Sequence, residues 1–138
     1  MKDSSGSIVP LLGRILISVV FLFSGLIKVM AFSMMTGFAA AKHMPLPAVM
    51  IAGAAAVELL GGLAILTGFQ ARLASWILFV YLIPTTLVFH NFWTLAGMDR
   101  ADAQAHFMKN VAIMGGLLFL AAFGSGAYSV DSRMRAKA

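Results

Sequence analysis

Cysteine is absent from the 138 residues, which removes disulfides, thiolate metal sites, cysteine-ligated iron–sulfur clusters and any CxxC dithiol relay within the chain. Redox chemistry in such a chain needs a partner or a cofactor. Charge is scarce as well: Asp, Glu, Lys and Arg make up 11% of the sequence, against roughly a quarter of an ordinary soluble domain. The few basic residues give a net charge of +5, yet they are spaced singly between apolar runs and form neither a block nor a helical face, so nucleic acid is not an expected partner. GxSxG, HExxH, P-loop and GxGxxG elements are all missing, which leaves hydrolase, zinc-protease, nucleotide and dinucleotide chemistry without support.

What the chain does have is apolar sequence, 61% of it, far more than the core of one soluble domain of this length takes up. Lipid is the expected partner for the surplus. Four stretches, approximately residues 8–32, 47–69, 73–93 and 107–123, reach the roughly 20 residues that cross a hydrocarbon layer of about 30 Å. The first follows a basic residue, Lys2, as a signal peptide does, but its apolar run exceeds a usual h-region of about 7–15 residues and is read as a retained span. Between spans one and two, MMTGFAAAKHMPLP is less continuously apolar and closes on Pro45 and Pro47, which suits a short interfacial helix and a break. The fold expected is therefore an all-α, integral membrane four-helix bundle in a single domain, with a short interfacial helix between the first two spans and a polar tail over residues 125–138.

Connections sharpen this picture. Residues 68–71 leave little between spans two and three, predicting a tight antiparallel hairpin whose turn is marked by Arg72. The third connection, TLAGMDRADAQAH, contains Asp99, Arg100 and Asp102 and is expected as a loop in water. Pro84 falls inside span three and frees a backbone carbonyl that Thr85 or Thr86 can partner. An even number of spans puts both termini on one side together with Lys2, Arg72, Arg133, Arg135 and Lys137, which the positive-inside rule makes cytoplasmic. The tail cations there can meet anionic headgroups. No internal repeat of the kind that builds transporters is evident.

Polar residues inside spans are rare because each costs several kcal/mol, about 2.5 to 3.5 on insertion scales, so the exceptions are informative. Arg14 and Lys28 occur in span one, Glu58 in span two, His90 in span three, and Lys109 with Asn110 in span four. Arg14 and Lys28 lie on one helical face with Ser18 and Gly25, roughly 21 Å apart along the axis, either turned to the interior or snorkelling to headgroups. Glu58 stands near mid-span, where a short side chain reaches no headgroup, on a small-residue strip of Ala54, Ala55, Gly61 and Gly62 that lets helices approach. It is the candidate proton relay, with Lys28 as first choice of partner and Arg14 as second; a structural ion pair or interhelical hydrogen bond is the competing reading. Lys28, His90, Lys109 and Asn110 are the candidate polar pocket into which Glu58 reaches, while Arg14, Gly61, Gly62 and Arg72 are read as structural. The competing reading of His90 is a residue solvated at the interface, and His106 reads as a loop-edge residue.

A haem between His90 and His106 is a lesser alternative, since no spacing fixes two opposed imidazoles. The ten methionines are dispersed and read as packing rather than copper handling, so no metal site is expected. Trp76 and Trp93, toward the two ends of span three, read as interface anchors.

RILISVVFLFSGLIK (residues 14–28), VELLGGLAILTGFQARLA (57–74), FHNFW (89–93) and FMKNVAIMGGLLFLA (107–121) together resemble the DoxX family of small bacterial membrane proteins over nearly the whole chain. The resemblance implies a four-helix membrane bundle, a bacterial inner-membrane location and an association with redox functions, related small subunits occurring in thiosulfate:quinone oxidoreductase. Arg14, Lys28, Glu58, Arg72, Lys109 and Asn110 match the family's polar pattern; the family supplies no catalytic set to transfer. Three functions follow as expectations. A quinone-linked redox component or accessory subunit of a membrane oxidoreductase comes first, with quinone as the cofactor. A small transporter or channel, with its path formed in a homo-oligomer, comes second. A structural assembly subunit in which Glu58 only locks helices is third.

Overall fold

The computed structural model describes residues 8–137; Lys2 lies outside them. Every regular element among the described residues is helical. Helix α1 (Val9–Met30) opens with Pro10 in its first turn, where a missing N–H costs nothing, and ends with Lys28 in its last turn, where a cation complements the exposed carbonyls. A single residue, Ala31, breaks the helical path before α2 (Phe32–Ala41), the short apolar helix expected between the first two spans. Helix α3 (Pro47–Thr67) again begins on proline and ends on Gly68 in a left-handed conformation. Helix α4 (Ala71–Phe89) follows immediately, extended by a 3-10 turn at Phe92–Thr94. Helix α5 (Gly97–Phe123) leads to a short α6 (Val130–Arg135). Four of these, with α4 counted through Thr94, are long and apolar enough to cross a membrane.

Two sequence expectations need correction. The stretch read as a polar loop before span four is mostly helix: α5 starts at Gly97, ten residues ahead of the expected 107. Asp99 in its first turn favours the helix electrostatically, and these ten residues, nearly three turns that carry Asp99, Arg100 and Asp102, extend the helix beyond the apolar layer at no desolvation cost. The carbonyl freed by Pro84 is also not taken by the neighbouring threonines. Thr85 Oγ1 donates to the Tyr81 carbonyl instead, and Thr86 Oγ1 accepts a bond from α5.

The bundle is held by close approach at small residues. A Cβ on Gly25 of α1 would stand 2.8 Å from Leu59 Cγ of α3, and one on Gly62 would stand 3.0 Å from Leu22. Gly61, one position earlier, faces the other way and meets Leu78 of α4 at 2.9 Å. The adjacent glycines thus serve two interfaces, as expected where dispersion rather than water drives helix association. Phe21, Ile65, Leu78, Leu82, Leu117 and Leu120 fill the core. Outside, Leu16, Phe23, Leu60, Phe119 and Phe123 are 64–76% exposed, an apolar exterior that only lipid satisfies.

Candidate functional site

Glu58 is 4% exposed on α3 and accepts three hydrogen bonds. Lys28 Nζ reaches both carboxylate oxygens, at 3.0 Å from Oε1 and 2.8 Å from Oε2, and donates also to Ser24 Oγ one turn back on α1 at 2.8 Å. Tyr81 on α4 donates its hydroxyl to Glu58 Oε1 at 2.7 Å. Three spans therefore converge on one carboxylate, and the pair as a whole is neutral. Such pairing is the condition for keeping charges out of water, since their desolvation cost is offset only when the remaining lone pairs and protons are also bonded. Lys28 rather than Arg14 is the residue that reaches Glu58. Sequence reasoning missed Tyr81, an aromatic residue in an apolar run. Its position on α4 opposite the Glu58 strip was the one signal available, and using it required the packing of α3 on α4.

The remaining candidates form separate groups. Asn110 of α5, 7% exposed, donates to Thr86 Oγ1 of α4 at 3.0 Å. His90 stacks on His106, ring centroids 5.2 Å apart and planes inclined 15°, and Lys109 Nζ lies 3.0 Å from His106 Nδ1. Lys42 Nζ donates to Asn91 Oδ1 at 3.1 Å beside them. Among the described residues no hydrogen bond or ion pair joins His90, Lys109 or Asn110 to the Glu58 cluster. Axial distance is the reason: His90 lies nine residues beyond Tyr81, about 13 Å along α4. The stacked imidazoles present ring faces to each other, whereas a haem iron held between them needs two opposed ring nitrogens.

The Asn110–Thr86 bond has a direct test. Replacing Asn110 with leucine should lower the unfolding free energy by about 1 kcal/mol, because the buried Thr86 hydroxyl loses its partner. Adding Thr86→Val should return most of that loss in denaturant titrations. A double variant no more stable than Asn110→Leu alone would mean that the bond is energetically silent.

Arg14 occupies the opposite end of the bundle. Its guanidinium, with the residue 1% exposed, donates through Nη2 to the Tyr128 carbonyl and lies against Gly68 and Ser129. Asp131 completes this junction: Oδ1 accepts from the Gln70 N–H at 2.7 Å and Oδ2 from the Ala71 N–H at 3.1 Å. Its own N–H donates to the Gly68 carbonyl at 3.0 Å. The C-terminal segment expected as a polar tail is in this way pinned over the α3–α4 turn. These bonds also hold Gln70 in its left-handed conformation, φ +48°, which a non-glycine residue rarely adopts.

The family model described as DoxX matches residues 9–91. The inner membrane protein YphA of Escherichia coli (strain K12) is 30% identical over 123 residues, an alignment covering 89% of this chain and 88% of that protein. The inner membrane protein YqjF of the same organism is 33% identical over 131 residues, 92% of each chain. No solved structure matches the chain.

Proposed function

Since this chain belongs to the DoxX family and is a multi-pass protein of the bacterial inner membrane, we propose that its Lys28–Glu58–Tyr81 cluster is the proton-handling, quinone-contacting site of a membrane redox component. The observation behind this reading is the convergence of an ammonium and a phenol on a carboxylate inside the spanning region. Both donors match a quinone carbonyl oxygen, which is an acceptor and nothing else. Lys28, its side chain 15% exposed, is the more accessible of the charged pair and is the residue a ligand entering from the lipid meets first.

A bound quinone supplies the two-electron, two-proton chemistry. The chain's own part is to orient the ring through Lys28 and Tyr81 and to exchange protons at Glu58 Oε1, the oxygen that Tyr81 already addresses. Electrons come from an oxidoreductase partner, because the chain has no cysteine to relay them. In this reading both termini face the cytoplasm, which groups Arg72, Arg133, Arg135 and Lys137 on that side and leaves Lys42 and Arg100 beside Asp99 and Asp102 on the other.

The test is to extract quinone from the purified protein and to measure quinone reduction with its partner for the native chain and for Glu58→Gln. Loss of turnover by about 100-fold or more, with quinone still bound, is expected of a removed proton relay. Unchanged turnover and unchanged quinone content in the variant would end the proposal. The complete bonding of Glu58 also favours a second reading, a structural subunit in which the pair only locks α1 to α3. Co-purification with an oxidoreductase and no bound quinone would support that one.

A further inference from the structure

Where α6 folds back against the start of α4 it leaves an open groove of about 510 Å³, lined by Arg72, Leu73, Gly124, Asp131, Met134 and Arg135 among others. The two guanidiniums come from different elements. Arg72 is the second residue of α4 and lies across Gly124, where an added Cβ would stand 3.2 Å from its Nε; it makes no hydrogen bond or ion pair with a described residue. Arg135 donates only its Nε, to the Asp131 carbonyl at 3.3 Å, which leaves the terminal nitrogens free. The one carboxylate on the wall, Asp131, is already committed to the Gln70 and Ala71 N–H groups and to Ser125 Oγ. The groove therefore presents unpaired positive charge, and its apolar walls, Leu73 and Met134, are 56% and 53% exposed.

We propose that this groove binds the phosphodiester headgroup of an anionic phospholipid. Guanidinium forks suit phosphate oxygens, and basic pockets at the ends of spans are where anionic headgroups dock. Leu73 and Met134 meet the glycerol and first acyl carbons, surface from which a free phosphate gains nothing. The level is also that of a headgroup: Arg72 begins a membrane span, and Trp76, half exposed one turn further in, suits the interface just inside the phosphates.

The experiment compares binding of phosphatidylglycerol and phosphatidylcholine to the full-length protein by lipid titration in native mass spectrometry, with melting temperature as a second readout. The native chain should prefer phosphatidylglycerol by about 30-fold, the combined effect of two basic groups. Arg72→Gln/Arg135→Gln should bring that preference down to within about threefold. Arg133→Gln/Lys137→Gln removes the same charge from the same end outside the groove and should retain it. No preference in the native chain would overturn the site. So would an equal loss in both double variants, which would indicate diffuse surface charge. Inorganic phosphate that displaces the lipid at equal concentration would overturn it too, by marking a free-anion site. Should the groove variant not purify folded, Arg135→Gln alone, on an exposed side chain, is expected to lose about fivefold, and no loss there counts against the proposal.

Discussion

Replacing Gly68 with alanine is expected to lower the melting temperature more than any other glycine-to-alanine change at a turn of this chain. Gly68 has φ +70°, in the region where a side chain costs about 1 kcal/mol. That alone is tolerable. Its added Cβ, however, would overlap Ser129 Cβ and the Arg14 guanidinium, and neither can move freely. Ser129 caps α6 through its hydroxyl, which accepts from the Ser132 N–H at 3.1 Å, and Arg14 is buried between α1 and the C-terminal segment. Relief of the overlap requires lifting that segment off the hairpin, which would also break the bonds from Asp131 to Gln70 and Ala71. A loss of about 2–4 kcal/mol is expected, the sum of the backbone and overpacking costs. Gly97→Ala is the control: its φ is +59° but nothing lies within 4 Å of the added Cβ, so only the backbone cost of about 1 kcal/mol applies. Melting temperatures of the two variants in one detergent settle the matter; equal shifts would mean that the contact with Ser129 and Arg14 is soft.

That junction was invisible in the sequence, whereas the spans were plain. Runs such as Ile15 to Phe23 and Val57 to Thr67 announce helices because lipid leaves the backbone no other way to satisfy its hydrogen bonds. Glu58 was equally legible, since a carboxylate deep in such a run is costly without a partner. The partners were legible only in part. Lys28 is an exception to its own apolar run, but Tyr81 and Ser24 fit theirs and become informative only once α3, α4 and α1 are packed. Arg14 met a backbone carbonyl 114 residues away, and no local pattern encodes that meeting. Among the described residues the structure joins His90, Lys109 and Asn110 to Glu58 by no bond for a different reason: each is a polar residue in or beside an apolar run, yet they lie at other levels along the helices, and polarity carries no information about depth.

The Lys28–Glu58 pair should show strong thermodynamic coupling. Lys28→Met leaves a carboxylate in the bundle with only Tyr81 against it, and removal of one partner from a buried ion pair costs about 3–5 kcal/mol. Glu58→Gln should cost less, about 1–2 kcal/mol, because the amide oxygen still accepts from Tyr81 and the lysine, already bonded to Ser24 and partly exposed near the end of α1, can extend toward a headgroup. Combining the two removes both charges and should return the protein to within about 1 kcal/mol of the native chain. Reversible unfolding in mixed detergent, with the four proteins compared, measures this directly. Additive losses would mean that the two charges are solvated independently and that their 2.8 Å contact contributes nothing. Activity in the double variant then separates the two functional readings, because the fold is restored while the proton-handling carboxylate is still missing. A structural lock predicts that function returns with stability. A proton and quinone site predicts a stable protein, assembled with its partner, that no longer turns over because the carboxylate and the quinone-orienting ammonium are both gone.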